Sequence, residues 1–246
     1  MTICLYAITD RPEMPLPKQL GLDDVELTSI AWRNLGAVIS THDGEPPPAS
    51  ADALWRYEAV LEALMEHRTV LPARYGTMMP SARAVTDMLR RDYARFTDDV
   101  ARVQGQIEIG IRFVPLAVDA EDTSAVPKGP IAPSGTAYLM TKVVAVQDRA
   151  RRRAAVMETA RALHAILKRL ATDSRFDAET DDRDWIASAF LTPRDAMETF
   201  QQAVSRLAKA HPKLALLCTG PWPPYSFVSD QAAERTNGED NHGYLH

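Results

Sequence analysis

The sequence predicts an α+β protein of two small sandwich domains. The first is close to a ferredoxin-like layout with a strand added, and the second opens on a long helix. Three observations carry this expectation. Apolar or alternating runs exchange with stretches of helical period in the order β, β, α, β, α, β over residues 1–118. Residues 119–133 are polar and carry Pro127, Pro130 and Pro133, which reads as a linker. Residues 134–228 then run α, β, β, α, β before a polar tail, 229–246, expected to be disordered. With 246 residues, 46% of them hydrophobic and 25% charged, the chain has material for two real cores.

In the first domain, residues 2–9 (Thr-Ile-Cys-Leu-Tyr-Ala-Ile-Thr) are β-branched, aromatic and almost wholly apolar, as in a strand buried on both faces. A loop with Pro12, Pro15 and Pro17 follows. Leu27 to Ser40 reads as one or two strands about a turn at Arg33-Asn34, and Pro46-Pro47-Pro48 ends regular structure. Ser50 is the expected N-cap of a helix to about His67, with Leu54, Tyr57, Leu61, Leu64 and Met65 on its inner stripe. Thr69 to Tyr75 is a short strand interrupted by Pro72. Ser81 opens a second helix to about Val103, with Val85, Met88, Leu89, Phe96, Val100 and Val103 inward. Gln106 to Leu116 alternates, so that Ile107, Ile109, Ile111 and Phe113 face one way and Glu108 and Arg112 the other.

In the second domain a helix is expected from Ser134 to about Ala171. One stripe holds Leu139, Val143, Val146 and Ala150; a second holds Val156, Ala160, Leu163, Leu167 and Leu170. The phase slips at Arg149–Arg153, where a solvated face is the default and a bend the next option. Arg175–Thr180 and Trp185–Leu191 are strand candidates. Thr192-Pro193 begins a helix with Met197, Phe200, Val204 and Leu207 inward, and Pro212 ends it. Lys213 to Thr219 is a strand leading into Gly220-Pro221-Trp222-Pro223-Pro224-Tyr225-Ser226-Phe227. Three prolines in four residues exclude a helix or a central strand there. The result is a stiff arm whose aromatics either plug the domain's own core or present a partner-binding surface.

Charge and spacing narrow the function. Net charge is −5 with no long basic block, which argues against sequence-independent nucleic-acid binding. Cys4 and Cys218 each lie in an apolar run and read as buried, reduced thiols of a reducing compartment. No signal-peptide pattern and no membrane-length apolar window occurs, so a cytoplasmic protein is expected. The six histidines show no metal-ligand spacing, and phosphate-cradle and nucleophile-elbow motifs are missing; no catalytic residue, metal or cofactor is predicted. Asp181, Asp182, Asp184, Asp98 and Asp99 read as turn formers and solubilisers. The strongest constellation is Val70-Leu71-Pro72-Ala73-Arg74-Tyr75-Gly76-Thr77. Its Arg74 needs acceptors if buried, and Glu108 is a possible one; a structural ion pair and a partner contact are both open.

Three segments resemble the GvpF/GvpL family of gas vesicle proteins: Leu5-Tyr6-Ala7-Ile8, Val70–Thr77 and Thr219–Phe227. Ile107-Glu108-Ile109-Gly110-Ile111-Arg112 is similar to the family's acidic-glycine strand, and Gly135-Thr136-Ala137-Tyr138-Leu139 to the start of its long helix. The chain departs from the pattern at Pro115 and after Val228. The resemblance implies a modified ferredoxin-like N-terminal domain, a second α+β domain and a non-enzymatic accessory role. It further implies binding of the hydrophobic, GvpA-like shell protein and other accessory proteins during vesicle nucleation. Arg74, Tyr75, Trp222, Tyr225 and Phe227 are the expected partner contacts, with Pro72, Gly76, Glu108, Gly220, Pro221, Pro223 and Pro224 as structural motif residues. A small-molecule binder or enzyme using a pocket between the domains is the alternative. An RNA-binding module rests on topology alone.

Overall fold

The computed structural model describes residues 2–44, 48–116, 135–177 and 185–229. Two compact α+β units form: Met1–Glu108 together with Trp222–His246, and Ile109–Pro221. The expected linker, and the expected tail past Ser229, lie outside the described residues. The split differs from the 118/134 boundary read from sequence, because the chain leaves the first unit within a strand and its terminal arm returns to it.

The first unit is built on β1 (Thr2–Asp10), which pairs antiparallel with β3 (Leu35–His42), β4 (Val70–Pro72) and β5 (Met78–Met79). β2 (Thr28–Trp32) pairs with β3, so the order is β2-β3-β1-β4 with β5 also on β1. Ile3 through Thr9 are all buried, as the run predicts, so both faces of β1 are covered rather than one. The β1–β3 register slips between Leu5 and Ala7, leaving Tyr6 as the extra residue. Bulges of this kind re-aim a side chain. Here Tyr6 stacks on Tyr57 at 5.1 Å and accepts the Leu22 N–H at 2.7 Å.

Helix α1 (Ala51–Met65) is capped by Ser50, whose hydroxyl accepts the Ala53 N–H at 3.1 Å. Tyr57, Val60, Leu61 and Leu64 pack it against Cys4, Tyr6 and Val38. Leu54, placed on the inner stripe by sequence, is 42% exposed. The expected second helix is two, α2 (Ala82–Arg91) and α3 (Tyr93–Val103), broken at Asp92, where φ −100 and ψ 15 leave the helical range. Arg91 and Arg95 both pair with the Asp92 carboxylate at that break. Asp99, read as a solubiliser, is buried on α3.

The second unit carries the β-α-β-β-α-β order. Its elements are β6 (Gln106–Pro115), α4 (Gly135–Leu167), β7 (Asp173–Asp177), β8 (Ile186–Pro193), α5 (Met197–Ala210) and β9 (Leu214–Trp222). The sheet order is β7-β8-β6-β9. The ferredoxin-like element order is therefore complete here. β6, counted with the first domain on sequence, is an interior strand of this sheet, which accounts for the full burial of Ile107, Ile109, Ile111 and Phe113. Helix α4 runs unbroken through Arg149–Arg153, so no helix break occurs at the phase slip. Ala160, Leu163 and Leu167 are buried as expected, whereas Val143 and Leu170 are exposed. Pro193 ends β8 instead of starting a helix; a 3-10 turn, Arg194–Ala196, precedes α5. β9 is an edge strand, so it continues through Pro221 without losing a ladder partner. Cys218 on that edge is exposed, contrary to the sequence reading, and both thiols are free.

Gly110 of β6 lies against Thr219 of β9: a Cβ at residue 110 would stand 2.7 Å from the Thr219 hydroxyl oxygen. Thr219 is β-branched and cannot swing away cheaply. Gly110→Ala is expected to cost about 1–3 kcal/mol of stability by overpacking, and Gly110→Ala/Thr219→Ala to recover most of it in urea denaturation.

Candidate functional site

The proline–aromatic arm is anchored to the first unit at several points. Gly220 has φ +114, a conformation L side chains rarely adopt, and joins Pro221 through a cis peptide bond. Pro223 and Pro224 are buried. Tyr225–Phe227 forms one 3-10 turn, closed by the Phe227 N–H donating to the Pro224 carbonyl at 3.0 Å. Phe227 is fully buried, and Tyr225 packs on the cluster formed by Cys4, Tyr6, Tyr57 and α1. Both were expected as partner contacts; Phe227 is instead core, and Tyr225 largely so. Trp222 is half-buried.

Three carboxylates from three elements hold the arm. The Tyr225 hydroxyl donates to Glu58 Oε1 of α1 at 3.0 Å. Ser226 gives its backbone N–H and its hydroxyl to the two oxygens of Glu108, each at 2.7 Å. Ser229 repeats the motif on Asp99, with N–H at 3.0 Å and hydroxyl at 2.9 Å. Arg95 donates to the Ser229 carbonyl at 3.0 Å, and Arg102 pairs with Asp99. Asp99 and Glu108 are only 2% and 9% exposed. A carboxylate so buried costs several kcal/mol unless its oxygens are satisfied, and charge-assisted bonds of about 1.5–3 kcal/mol each offset that cost. Glu108 therefore does not face solvent as strand alternation suggests; it receives the arm.

The Arg74 turn adjoins the same cluster. β4 ends at Pro72, so Arg74 sits exposed in a turn rather than on a strand. The Arg74 carbonyl accepts from the Thr77 N–H at 3.0 Å and the Thr77 hydroxyl at 2.6 Å, with Gly76 at φ +79. Leu5 N–H donates to the Thr77 carbonyl at 2.9 Å, tying the turn to β1. Tyr75 sets its ring edge-on to Tyr57 at 5.4 Å, and the Tyr57 hydroxyl donates to the Ala73 carbonyl at 2.8 Å. Burial pushes the Tyr6 hydroxyl up to about 12 and the Cys4 thiol to about 11, so both stay neutral.

Two polar groupings were not singled out on sequence. Ser40 Oγ lies 2.6 Å from His42 Nε2, and His42 Nδ1 lies 3.4 Å from Asp23, which has the connectivity of a nucleophilic relay. Ser40 is fully buried, however, and stands 3.0 Å from the Tyr6 hydroxyl, so it has no substrate access and serves the core. In the second unit His164 lies between Phe176 and Phe190, with Ser188 at 3.1 Å and Ser174 at 3.3 Å from its ring nitrogens. Burial, with Lys168 nearby, lowers its pKa and favours the neutral ring. Among the described residues no group of three His, Cys, Asp or Glu is placed to hold a metal.

The family model described as gas vesicle synthesis protein GvpL/GvpF matches residues 2–229. Gas vesicle protein F2 of Halobacterium salinarum is 25% identical over 206 residues, covering 81% of this chain and 79% of that one. Gas vesicle protein L of a Streptomyces species is 27% identical over 187 residues, covering 72% and 69%. The crystal structure of gas vesicle protein GvpF from Anabaena sp. PCC7120 shares the fold, with a TM-score of 0.70 at 21% identity over 94% of this chain and 99% of that one.

Two outcomes test the anchoring. Phe227→Ala is expected to destabilise the protein by about 3–5 kcal/mol in urea denaturation, the cost of emptying a core aromatic site. Burial, against the Tyr225 bond and with Glu62 adding, raises the Glu58 pKa above its ordinary 4.5. A carboxyl whose folded pKa is raised gives its full contribution below the unfolded value and loses it as pH climbs through the folded one. The melting temperature of Glu58→Gln should therefore gain on the wild type as pH rises from 4.5 towards neutrality; a pH-independent difference would contradict the assignment.

Proposed function

The chain belongs to the gas vesicle synthesis protein GvpL/GvpF family, and from that premise we propose that it works without catalysis, as an accessory protein binding the hydrophobic, GvpA-like shell protein and other accessory proteins during vesicle nucleation and assembly. The observation that carries the reading is the extent of the family match: residues 2–229 take in both sheets, the five α-helices among the described residues and the arm. The chemistry of the polar groups supports it. Glu108 and Asp99 are committed to the arm, and Ser40 and His42 to the core. No helix among the described residues is long and apolar enough to cross a membrane, so a greasy partner is met at the surface of a folded domain.

A shell protein with exposed apolar surface has to be covered until it reaches a growing edge. The contact set we propose for this is Arg74 and Tyr75 on the turn, with Trp222 at the start of the arm. Trp, Tyr and Arg are the side chains that most often anchor interfaces. Tyr225 and Phe227 support that surface from beneath by fixing the arm.

Capture of purified shell protein by Arg74→Ala and Trp222→Ala variants that melt like the wild type is expected to weaken by about tenfold, or 1.4 kcal/mol. Undiminished capture would remove these residues from the contact. Deleting the gene from a buoyant cell should abolish flotation; intact flotation would overturn the assembly role itself.

A further inference from the structure

Helix α1 buries one face and leaves the other open in an unusual composition. Trp55 is 71% exposed and Leu54 42% exposed, on a helix whose opposite stripe is full core. Trp55 stands at i, i+4 from Ala59 and at i, i+7 from Glu62, and these share the open face with Leu54. Asp52 adds a further carboxylate near its N-terminal end. The one cation of the helix, Arg56, is taken by Asp24 of the short 3-10 turn Leu22–Asp24. The face is thus apolar and acidic, with Arg56 the one basic residue along about 22 Å of helix.

Glu58 makes the imbalance concrete. One of its oxygens accepts from Tyr225, while the other, Oε2, is buried without a hydrogen-bond partner. Glu62 lies close enough to repel it. Glu62, exposed on the helix surface, gains from a cation brought in from outside. Phosphate backbones and anionic lipid headgroups are repelled by such a face, and a bare metal ion would leave Trp55 and Leu54 uncovered. What complements both properties at once is a helix with an apolar stripe flanked by Lys or Arg, laid along α1 by ordinary helix–helix packing.

We propose that the solvent face of α1 is a docking surface for a basic amphipathic helix of a partner protein, with Leu54 and Trp55 as apolar anchors and the exposed Asp52 and Glu62 as its charge contacts. This stands apart from the assembly role, since it rests on the face of α1 alone. The probe is a fluorescein-labelled amphipathic peptide of about 18 residues, leucines on one face and lysines on the other, titrated with the full chain by anisotropy at low salt. Trp55→Ser/Glu62→Lys should weaken binding by at least about tenfold. Asp87→Lys/Asp98→Lys, exposed on α2 and α3, makes at least as large a change in net charge and should stay within about twofold of wild type. All variants alter exposed side chains, and unchanged thermal melts confirm their folding. Absence of binding overturns the proposal, as does equal binding of the leucine–glutamate counterpart. An equal loss in the α2/α3 control variant would show diffuse attraction instead, and preferential binding of phosphatidylserine vesicles would assign the face to a membrane; either result also overturns it.

Discussion

Two buried carboxylates, Asp99 and Glu108, each receive the backbone N–H and the hydroxyl of one serine of the arm. The docking of the arm on the first unit follows from the need to satisfy them. A carboxylate 2% or 9% exposed is among the most expensive groups to leave unpaired in a protein interior. Removing residues 222–229 would take the serine donors from both at once and uncover the Phe227 site. The arm is thus a component of the core of the first unit, supplied from the far side of the second unit in sequence. The three prolines serve that role by entropy: a segment with few conformations to lose is cheap to dock.

The same core links the arm to the Arg74 turn. Tyr6, re-aimed by the bulge in β1, stacks on Tyr57; Tyr57 meets Tyr75 edge-on and caps the Ala73 carbonyl; Tyr225 packs on the same cluster and reaches Glu58. Aromatic contacts of this geometry add about 0.5–1.5 kcal/mol each beyond area burial. Tyr75 and Tyr225 therefore pack on one base although they are far apart in sequence. A surface with such support loses little entropy on binding.

Much of this was legible in the sequence and some was not, for identifiable reasons. The apolar run of residues 2–9, the serine caps at Ser50 and Ser81 and the buried apolar set of β6 each report a local rule that the fold obeys. The arm's rigidity was legible from its prolines, but its destination was not, because proline content says nothing of which acceptors wait for the chain. Asp99 could have been found: it interrupts the apolar stripe of Phe96 and Val103, and a carboxylate on a buried stripe implies a donor opposite. Its donor was marked too, by serines three residues apart at Ser226 and Ser229. Leu54 misled because helical period alone cannot tell a wide buried stripe from a helix with a second, open face. The placement of β6 was beyond local reading, since a strand's alternation does not name its neighbours.

Amide hydrogen exchange on the intact protein tests the central claim most directly. If the arm is part of the core, the Ser226 and Ser229 amides exchange only by the same opening that frees Leu5 of β1, with protection of similar size. Ser226 and Ser229 amides that exchange like an open loop while Leu5 stays protected would contradict the account.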